Sequence, residues 1–373
     1  MTEQSFWPED SAGLRGETLD RFLVWCARQD ASRIEIQTEM PVMIRVHGRN
    51  RQVTRDPSLP HEVEDAITYV FRSSTGVTHL RQGIPLDLRH TIRSGPKGTR
   101  HSFRLNALGT QVGSEAGISI TFRPLADIPR PLDEQHVEPA LLEALHGERG
   151  MYLICGATGS GKTTLIGGVN RARLEDPDLH CDIIEGSEPL ELLYDLVPRR
   201  HATISQVEIP RDVSTFAGFI RAAMRREPTD IVVGECRDSD TMEAAIQAAI
   251  SGHRLTSSLH TFDCASTVRR VAALCPPDQR DSLTIALVEN LRLLVNQRLL
   301  PSTDGKRTAI REFLPVNRAI RDTLLSARRE DWPHLTHAAI EAHGQSFERS
   351  IRATLAAGRI TETVAAAALR EEA

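Results

Sequence analysis

A glycine-rich run that directly follows a short apolar segment is the part of this sequence best suited to chemistry. Residues 156–163 read Gly-Ala-Thr-Gly-Ser-Gly-Lys-Thr and come after Tyr152-Leu-Ile-Cys155, whose apolar character predicts a buried strand. The glycines allow the backbone to curl so that successive N–H groups point at phosphate oxygens, and Lys162 adds a positive charge for the same anion. The Thr163 hydroxyl is a ligand that Mg²⁺ accepts. The run therefore predicts a nucleoside triphosphate bound with Mg²⁺, rather than an ordinary glycine-rich turn.

The segment after this run is predicted to be a helix that begins near Lys162. Its positive dipole end would then point at the bound phosphates. We expect nucleotide contacts from the whole run, which comprises Gly156, Ala157, Thr158, Gly159, Ser160, Gly161, Lys162, Thr163 and Thr164.

Acidic side chains follow two later strand-like segments. Glu235 comes shortly after one apolar run, and Glu185, Glu188 and Glu191 follow another. Ligands of parallel sheets bind beyond the carboxyl ends of the strands, so these acids are predicted to lie near the phosphates. Glu235 is expected to hold Mg²⁺, through water, or to accept a proton from the attacking water. One of the other acids would orient that water or the metal, and the residues alone leave open which one.

Histidines and arginines complete the candidate constellation. His260 is predicted at the carboxyl end of a strand over 255–259, where it would donate to a γ-phosphate oxygen, and His253 precedes the same strand. Cations stabilise the charge that develops in phosphoryl transfer, so Arg104 and Arg123 on predicted strands are further candidates. Additional candidates occur on a predicted helix before Glu235, and these are Arg221, Arg225 and Arg226.

The spacing of apolar residues divides these groups between two domains. Before residue 125, helical spacing over 16–29 and alternating runs, among them 100–106 and 118–123, predict a small α+β domain with an antiparallel sheet. Later strands alternate with helices, which predicts a parallel sheet flanked by helices. The expected boundaries are a first domain at 1–125, a proline-rich linker at 126–139, a nucleotide-binding domain at 140–317 and a helical region at 318–373.

Two helices of the second domain are predicted in more detail. Residues 214–226 are expected to form a helix capped by Ser214, and 278–294 a longer amphipathic helix.

Composition limits the class of protein. The 373 residues are 40% apolar and 25% charged with a net charge of −5, which gives no reason to expect direct nucleic-acid binding or attraction to anionic lipid. No run approaches the roughly 18 apolar residues of a membrane span, and the first residues lack the pattern of a signal peptide. Six scattered cysteines without a Cys-x-x-Cys pair are typical of a reducing compartment. We expect a cytoplasmic protein without an integral membrane segment.

Four segments in order resemble the Walker A, Asp-box, Walker B and His-box motifs of the type II/type IV secretion ATPase superfamily, which includes pilus retraction motors. They are Gly-Ala-Thr-Gly-Ser-Gly-Lys-Thr-Thr (156–164), Glu-Pro-Leu-Glu (188–191), Val-Gly-Glu-Cys-Arg-Asp (233–238) and Ser-Gly-His…Ser-Leu-His-Thr (251–261). The segments 192–195, 296–300 and 307–314 resemble further parts of the family, most closely the Dot/Icm-type and conjugative-plasmid transfer ATPases of type IVB systems.

The resemblance implies a RecA-like P-loop NTPase domain preceded by a smaller PAS-like α+β domain, with ATP and Mg²⁺ as cofactors. It also implies a homohexamer that binds ATP between its domains and docks on inner-membrane secretion machinery. Glu235, Glu188, Glu191 and His260 would be catalytic, and Arg104 and Arg123 match two of the three first-domain arginines that face the nucleotide in retraction motors.

The implied function is an ATP-hydrolysing motor for transfer of DNA or protein through a type IVB system. A pilus retraction ATPase is the alternative within the superfamily. There are two alternatives from other classes of function. One is a nucleic-acid motor with the same core fold, and the other is a docking subunit that binds ATP without hydrolysing it.

The sequence departs from the family pattern in three places. Gln111 stands where the third arginine is expected, and Ser187 occupies the position of the first glutamate of the acidic box, which leaves Glu185 or Glu188 to replace it. Gly167 and Gly168 fall within the predicted helix after the phosphate-binding run, where each costs about 1 kcal/mol of helix stability relative to alanine.

Overall fold

The computed structural model describes residues 6–10, 13–46, 48–94, 99–125 and 128–372. The chain forms two compact units, Met1–Asp127 and Ile128–Ala373. Among the described residues, no helix combines the length and apolar character needed to cross a bilayer.

The first unit is an α+β structure with one antiparallel sheet. Its strands are β1 (Ala31–Gln37), β2 (Met43–Val46), β3 (Arg49–Gln52), β4 (Leu86–Ser94), β5 (Thr99–Val112) and β6 (Glu115–Leu125), in the order β3-β2-β1-β6-β5-β4. Its helices are α1 (Glu17–Arg28), α2 (Pro60–Phe71) and α3 (Thr75–Arg81). Alternate strand residues such as Ile34, Phe103 and Phe122 join Phe22 of α1 in a buried core. The opposite face of β4, β5 and β6 carries the polar residues of the same alternation, as the period of two requires.

The second unit contains a seven-stranded sheet in the order β13-β12-β7-β11-β10-β8-β9. The strands are β7 (Gly150–Cys155), β8 (Asp182–Ser187), β9 (Thr203–Glu208), β10 (Asp230–Val233), β11 (Arg254–Leu259), β12 (Leu291–Pro301) and β13 (Arg307–Pro315). All neighbours are parallel except β12 and β13. Buried apolar clusters lie on both faces, so the predicted parallel sheet flanked by helices is confirmed.

Ten helices are described in the second unit. They are α4 (Pro139–Leu145), α5 (Lys162–Glu175), α6 (Phe216–Met224), α7 (Ser239–Ile250), α8 (Cys264–Leu274), α9 (Arg280–Asn290), α10 (Arg318–Ser326), α11 (Trp332–His343), α12 (Phe347–Ala356) and α13 (Glu362–Glu372). The last four follow one another between Arg318 and Glu372.

One helix prediction was wrong in its extent and another in its capping residue. The helix expected over 278–294 ends at Asn290, because Leu291–Pro301 pairs with β7 on one side and β13 on the other. Leu291, Leu293, Leu294 and Val295 are buried. A short apolar run of this kind fits a strand as well as a helix until its neighbours are known. The helix predicted over 214–226 is α6, and its cap is Thr215 rather than Ser214, with the Thr215 side chain accepting from the Gly218 N–H at 3.0 Å.

Gly167 and Gly168 allow other segments to approach α5 closely. A Cβ atom on Gly167 would collide with the Leu192 side chain, and one on Gly168 would collide with the side chain of Gln135. The described part of the predicted linker, 128–139, thus lies against α5, where Arg171 donates to the Pro129 carbonyl at 2.8 Å. Close packing at these positions accounts for two residues that are unfavourable for a helix.

A buried ion pair holds the amino edge of the second sheet. The Asp230 carboxylate accepts from Arg173 at 3.0 Å and from Arg254 at 3.1 Å, and both Asp230 and Arg254 are buried. The Arg254 guanidinium also lies 4.3 Å over the Tyr152 ring. Asp230 is the first residue of β10, so this cluster lies at the end of the strand away from the glycine-rich run, as predicted.

Candidate functional site

The glycine-rich run connects the central strand β7 to helix α5. β7 is buried along its whole length and α5 begins at Lys162, as predicted. The Lys162 side chain is 8% exposed, and its ammonium donates to the carbonyls of Gly156 at 2.8 Å and Ala157 at 2.9 Å. Burial lowers the pKa of Lys162, whereas the charges of Glu235 and Glu191 act in the opposite direction. Both acids therefore lie close enough to influence the lysine electrostatically.

The structure brings Glu235 and His260 together. Glu235 follows the end of β10, and its side chain is 12% exposed. A Glu235 carboxylate oxygen lies 3.4 Å from Nε2 of His260, which follows the end of the neighbouring strand β11. The loop after His260 is fixed from β12, where buried Asn296 donates to the Thr261 carbonyl at 3.0 Å. The two side chains thus occupy the carboxyl edge expected from the parallel sheet.

Arg237 joins the two acidic segments, and the sequence interpretation missed it. Its guanidinium forms an ion pair with Glu235 and lies 3.8 Å from Glu188. The signal was its position two residues after Glu235 within the same motif. Glu188 is exposed, whereas the half-buried Glu191 acts electrostatically on Lys162. Of the two glutamates in Glu-Pro-Leu-Glu, Glu191 is thus the one that acts electrostatically on Lys162.

Glu185 is buried within β8 and is held by side chains around it. Its carboxylate accepts from Ser187 Oγ at 3.2 Å and from Gln206 Nε2 at 3.1 Å. Gln206 also donates to the Leu192 carbonyl at 2.9 Å, which connects Glu185 to the segment after the acidic box. Burial raises the pKa of Glu185 to about 7, and the charge of Glu191 adds to this effect.

This raised pKa predicts a pH-dependent stability. The folded state holds the Glu185 proton up to about pH 7, whereas the unfolded chain releases it near the ordinary value of 4.5. The stability contributed by Glu185 is therefore complete below pH 4.5 and is lost as pH rises through about 7. Glu185→Gln, which stays neutral, is expected to flatten the pH dependence of the free energy of unfolding by up to roughly 3 kcal/mol. Urea unfolding of both proteins between pH 5 and 8 measures the difference, and parallel profiles would contradict it.

Arg104 and Arg123 are direct cross-strand partners in the first unit. Arg104 on β5 pairs with Arg123 on β6, and Arg89 on β4 pairs with Arg104 on its other side. Residues directly opposite each other share a face of a sheet, so the three form one row. Gln111 pairs with Ala116 near the hairpin end and lies outside the row. Only the register, which the sequence does not show, places Arg89 beside the two predicted arginines.

Other candidates are not brought to this edge. His253 precedes β11, and its Nδ1 lies 2.8 Å from the Pro228 carbonyl oxygen, so it lies at the amino end of the strand, opposite to His260. Arg221, Arg225 and Arg226 are exposed on α6 or just after it.

A cavity of about 460 Å³ adjoins the glycine-rich run. Gly161 and Thr164 form one side of it, and Gln297 and Leu299 of β12 form another. Arg130, from the segment before α4, also lines it. Its position beside the first turn of α5 is suitable for the part of a nucleotide that extends away from the phosphates.

The oxygen ligands at the edge fit Mg²⁺ bound together with phosphates. Among the described residues, no cluster of three or more His, Cys, Asp or Glu side chains could hold a metal ion by itself. The Thr163 hydroxyl, exposed in the first turn of α5, and the Glu235 carboxylate are oxygen ligands of the type that Mg²⁺ prefers. Mg²⁺ commonly uses one or two such groups together with phosphate oxygens and water.

Comparison with known proteins reveals one family. The family described as type II/IV secretion system protein matches residues 10–319. The type IV pilus retraction ATPase PilT of Pseudomonas aeruginosa is 27% identical over 347 residues, which cover 92% of this chain and 95% of PilT.

Several solved structures share the fold. The ATPase DotB of Legionella pneumophila is 32% identical with a TM-score of 0.86, and the match covers 98% of this chain and 99% of DotB. The pilus retraction motor PilT with bound ADP is 27% identical with a TM-score of 0.76, covering 93% and 96% of the two chains. These likenesses confirm the predicted fold class, a RecA-like P-loop NTPase domain preceded by a smaller α+β domain. The similarity to DotB also confirms the predicted resemblance to Dot/Icm-type ATPases.

Proposed function

The chain belongs to the type II/IV secretion system protein family, and we propose on that premise that it is a Mg²⁺-dependent ATPase that energises transfer of DNA or protein through a type IVB secretion or conjugation system. The proposal rests on one observation. Lys162, Glu235, Glu191 and His260 lie close together at the carboxyl edge of the second unit's sheet. We assign the activity to residues 140–317, within the second unit, and infer a homohexamer from the family resemblance.

In this proposal the loop of residues 156–161 binds the phosphates of ATP through backbone N–H groups. Lys162 supplies the charge for the β- and γ-phosphates, and the dipole of α5 adds to it. The nucleoside occupies the cavity beside Gly161 and Thr164. The buried Lys162 side chain is already held by hydrogen bonds to the Gly156 and Ala157 carbonyls, so it loses little conformational freedom when the nucleotide binds.

Glu235 is the acid placed to act on the attacking water. Thr163 and Glu235 would hold Mg²⁺, which when bound neutralises charge on the phosphates. The Glu235 carboxylate accepts the proton of the water or orients it, and Glu191 is the candidate for the second orienting acid. His260, 3.4 Å from Glu235, is positioned to respond to the loss of the γ-phosphate.

Arg104 and Arg123 are proposed to stabilise the charge that develops on the transferred phosphoryl group. Arg104→Ala and Arg123→Ala, each made singly, are expected to lower kcat by at least about tenfold, since arginines in this role contribute about 10³-fold or more. The affinity for ADP should change much less, because the ground state carries less of that charge. Phosphate release and ADP titration measure the two effects. Arg45→Ala, an exposed arginine on β2, is the control, and equal losses in kcat and ADP affinity would contradict the assignment.

The cellular role is tested by deletion and complementation. We propose that the protein is cytoplasmic and docks peripherally on inner-membrane machinery. The similarity to DotB supports a type IVB system, whereas the similarity to PilT over 92% of the chain supports pilus retraction as the second candidate. Loss of DNA or protein transfer with normal twitching, restored by wild type but not by Glu235→Gln, is the expected result. Loss of twitching with normal transfer would favour pilus retraction.

A further inference from the structure

Buried Gln297 on β12 contacts the glycine-rich loop that follows the neighbouring strand β7. Its side chain, with 2% of the residue exposed, donates from Nε2 to the Ser160 carbonyl at 2.7 Å. Cβ atoms built on Gly156 and Gly161 would each lie closer than van der Waals contact to Gln297 atoms. Gln297 therefore occupies space that these two glycines leave open. The loop and this glutamine fit each other as partners.

A buried arginine holds Gln297 in the orientation that this contact needs. Arg311 on β13, with 1% of the residue exposed, donates from Nε to the Gln297 Oε1 at 2.7 Å. An amide whose oxygen accepts from a guanidinium must turn its NH₂ group the other way, toward Ser160. Arg311 thereby selects the amide orientation that donates to the loop.

Arg311 is in turn fixed by groups from outside the sheet. It donates to the carbonyls of Gln135 and His136 and to the Glu138 carboxylate, each at 3.1 Å. Gln345, just before α12, donates to the same carboxylate at 3.1 Å and to the Arg311 carbonyl at 3.0 Å. These hydrogen bonds thus connect the loop, through Gln297 and Arg311, to the residues before α4 and to the start of the C-terminal helical pair α12–α13.

We propose that Gln297 is a positioning residue for nucleotide binding, and that Arg311 acts on the loop through it. The hydrogen bond to Ser160 holds the carbonyl away from the phosphate side, so that the N–H groups of residues 156–161 keep the curvature that binds an anion. Because this inference deepens the proposed function, it rests on the chain being a nucleotide-binding protein.

The first test compares ADP affinity with the stability of the nucleotide-free protein. Gln297→Met keeps the side-chain volume but removes the donor, and it should raise the Kd for MgADP in calorimetric titration at least about tenfold. Gln297→Glu, which retains the oxygen facing Arg311, is a second variant and should weaken binding similarly. The KM for ATP should rise in parallel while kcat at saturating ATP stays within about threefold, because bound phosphates restore the loop.

Gln52→Glu in the first unit is the matched control. The Gln52 Nε2 also donates to a backbone carbonyl, that of Thr54 at 2.8 Å, and its replacement should leave the Kd for MgADP unchanged. Arg311→Lys, which cannot reproduce the guanidinium geometry, should weaken ADP binding in the wild-type background. In the Gln297→Met background, Arg311→Lys should raise the Kd for MgADP by less than a further factor of about two, because Arg311 acts on the loop through Gln297.

The outcomes separate this inference from the proposed function. A wild-type protein that binds no MgADP would refute both. Wild-type binding with unchanged affinity in both Gln297 variants would refute the role of Gln297 alone. If the variants lose ADP affinity only in proportion to the folded nucleotide-free protein that they lose, the role of Gln297 is purely structural. If the effects of Gln297→Met and Arg311→Lys on the Kd multiply in the double variant, Arg311 does not act through Gln297.

Discussion

Lys162→Ala is expected to reduce ATP turnover at least about 100-fold, the effect typical of removing one preorganised group that stabilises developing charge. The ammonium is buried at the start of α5, beside the loop that we propose binds the phosphates, and alanine leaves no cation there. ADP affinity should fall as well, since the charge acts on the ground state too. Steady-state phosphate release and calorimetric titration of MgADP measure the two effects.

Arg318→Ala provides the control for this substitution, because Arg318 is a cation 89% exposed on α10. It should leave turnover unchanged. Thermal unfolding of the Lys162 variant tests whether the fold is retained. A folded Lys162→Ala protein with normal turnover would contradict the role of the loop.

Glu235→Gln is expected to lower kcat about 10²- to 10⁴-fold, the range for loss of a general base. Glutamine has the shape of glutamate but accepts no proton at neutral pH and carries no charge for a metal ion. The nucleotide should still bind, because the loop and Lys162 remain. The variant should therefore hold ATP without hydrolysing it, which filter binding of radiolabelled ATP and phosphate release together would show.

Glu289→Gln on the exposed side of α9 is the matched substitution for Glu235→Gln. It makes the same chemical change at a distance from the sheet edge and should leave kcat unaltered. Equal kcat values for Glu235→Gln and wild type would eliminate Glu235 as the acid that acts on water, and attention would move to Glu191.

Local sequence was sufficient to predict the parts of the candidate site that lie within one short segment or directly after a predicted strand. The glycine-rich run is contiguous, and the rule that ligands bind at the carboxyl ends of parallel strands placed Glu235 and His260 correctly before their contact was known. The buried ion pair of Asp230 lies at the opposite edge for the same reason.

The parts that the sequence did not predict depend on pairing between distant segments. Leu291–Pro301 is a strand because β7 and β13 pair with it on either side. Its apolar residues alone are as consistent with a helix as with a strand. Gln297 contacts Ser160 only because β12 lies beside β7. Similarly, Arg89 joins Arg104 and Arg123 through strand register, which no single segment encodes.

Steady-state release of phosphate from ATP by the purified wild-type protein, with Mg²⁺ and with EDTA, tests the central claim most directly. The arrangement of Lys162, Glu235 and His260 predicts continuous Mg²⁺-dependent turnover that Lys162→Ala abolishes. If the protein binds ATP tightly but releases no phosphate, even with ATP in large excess over protein, the central claim is contradicted. That result would identify the chain as a nucleotide-gated docking subunit.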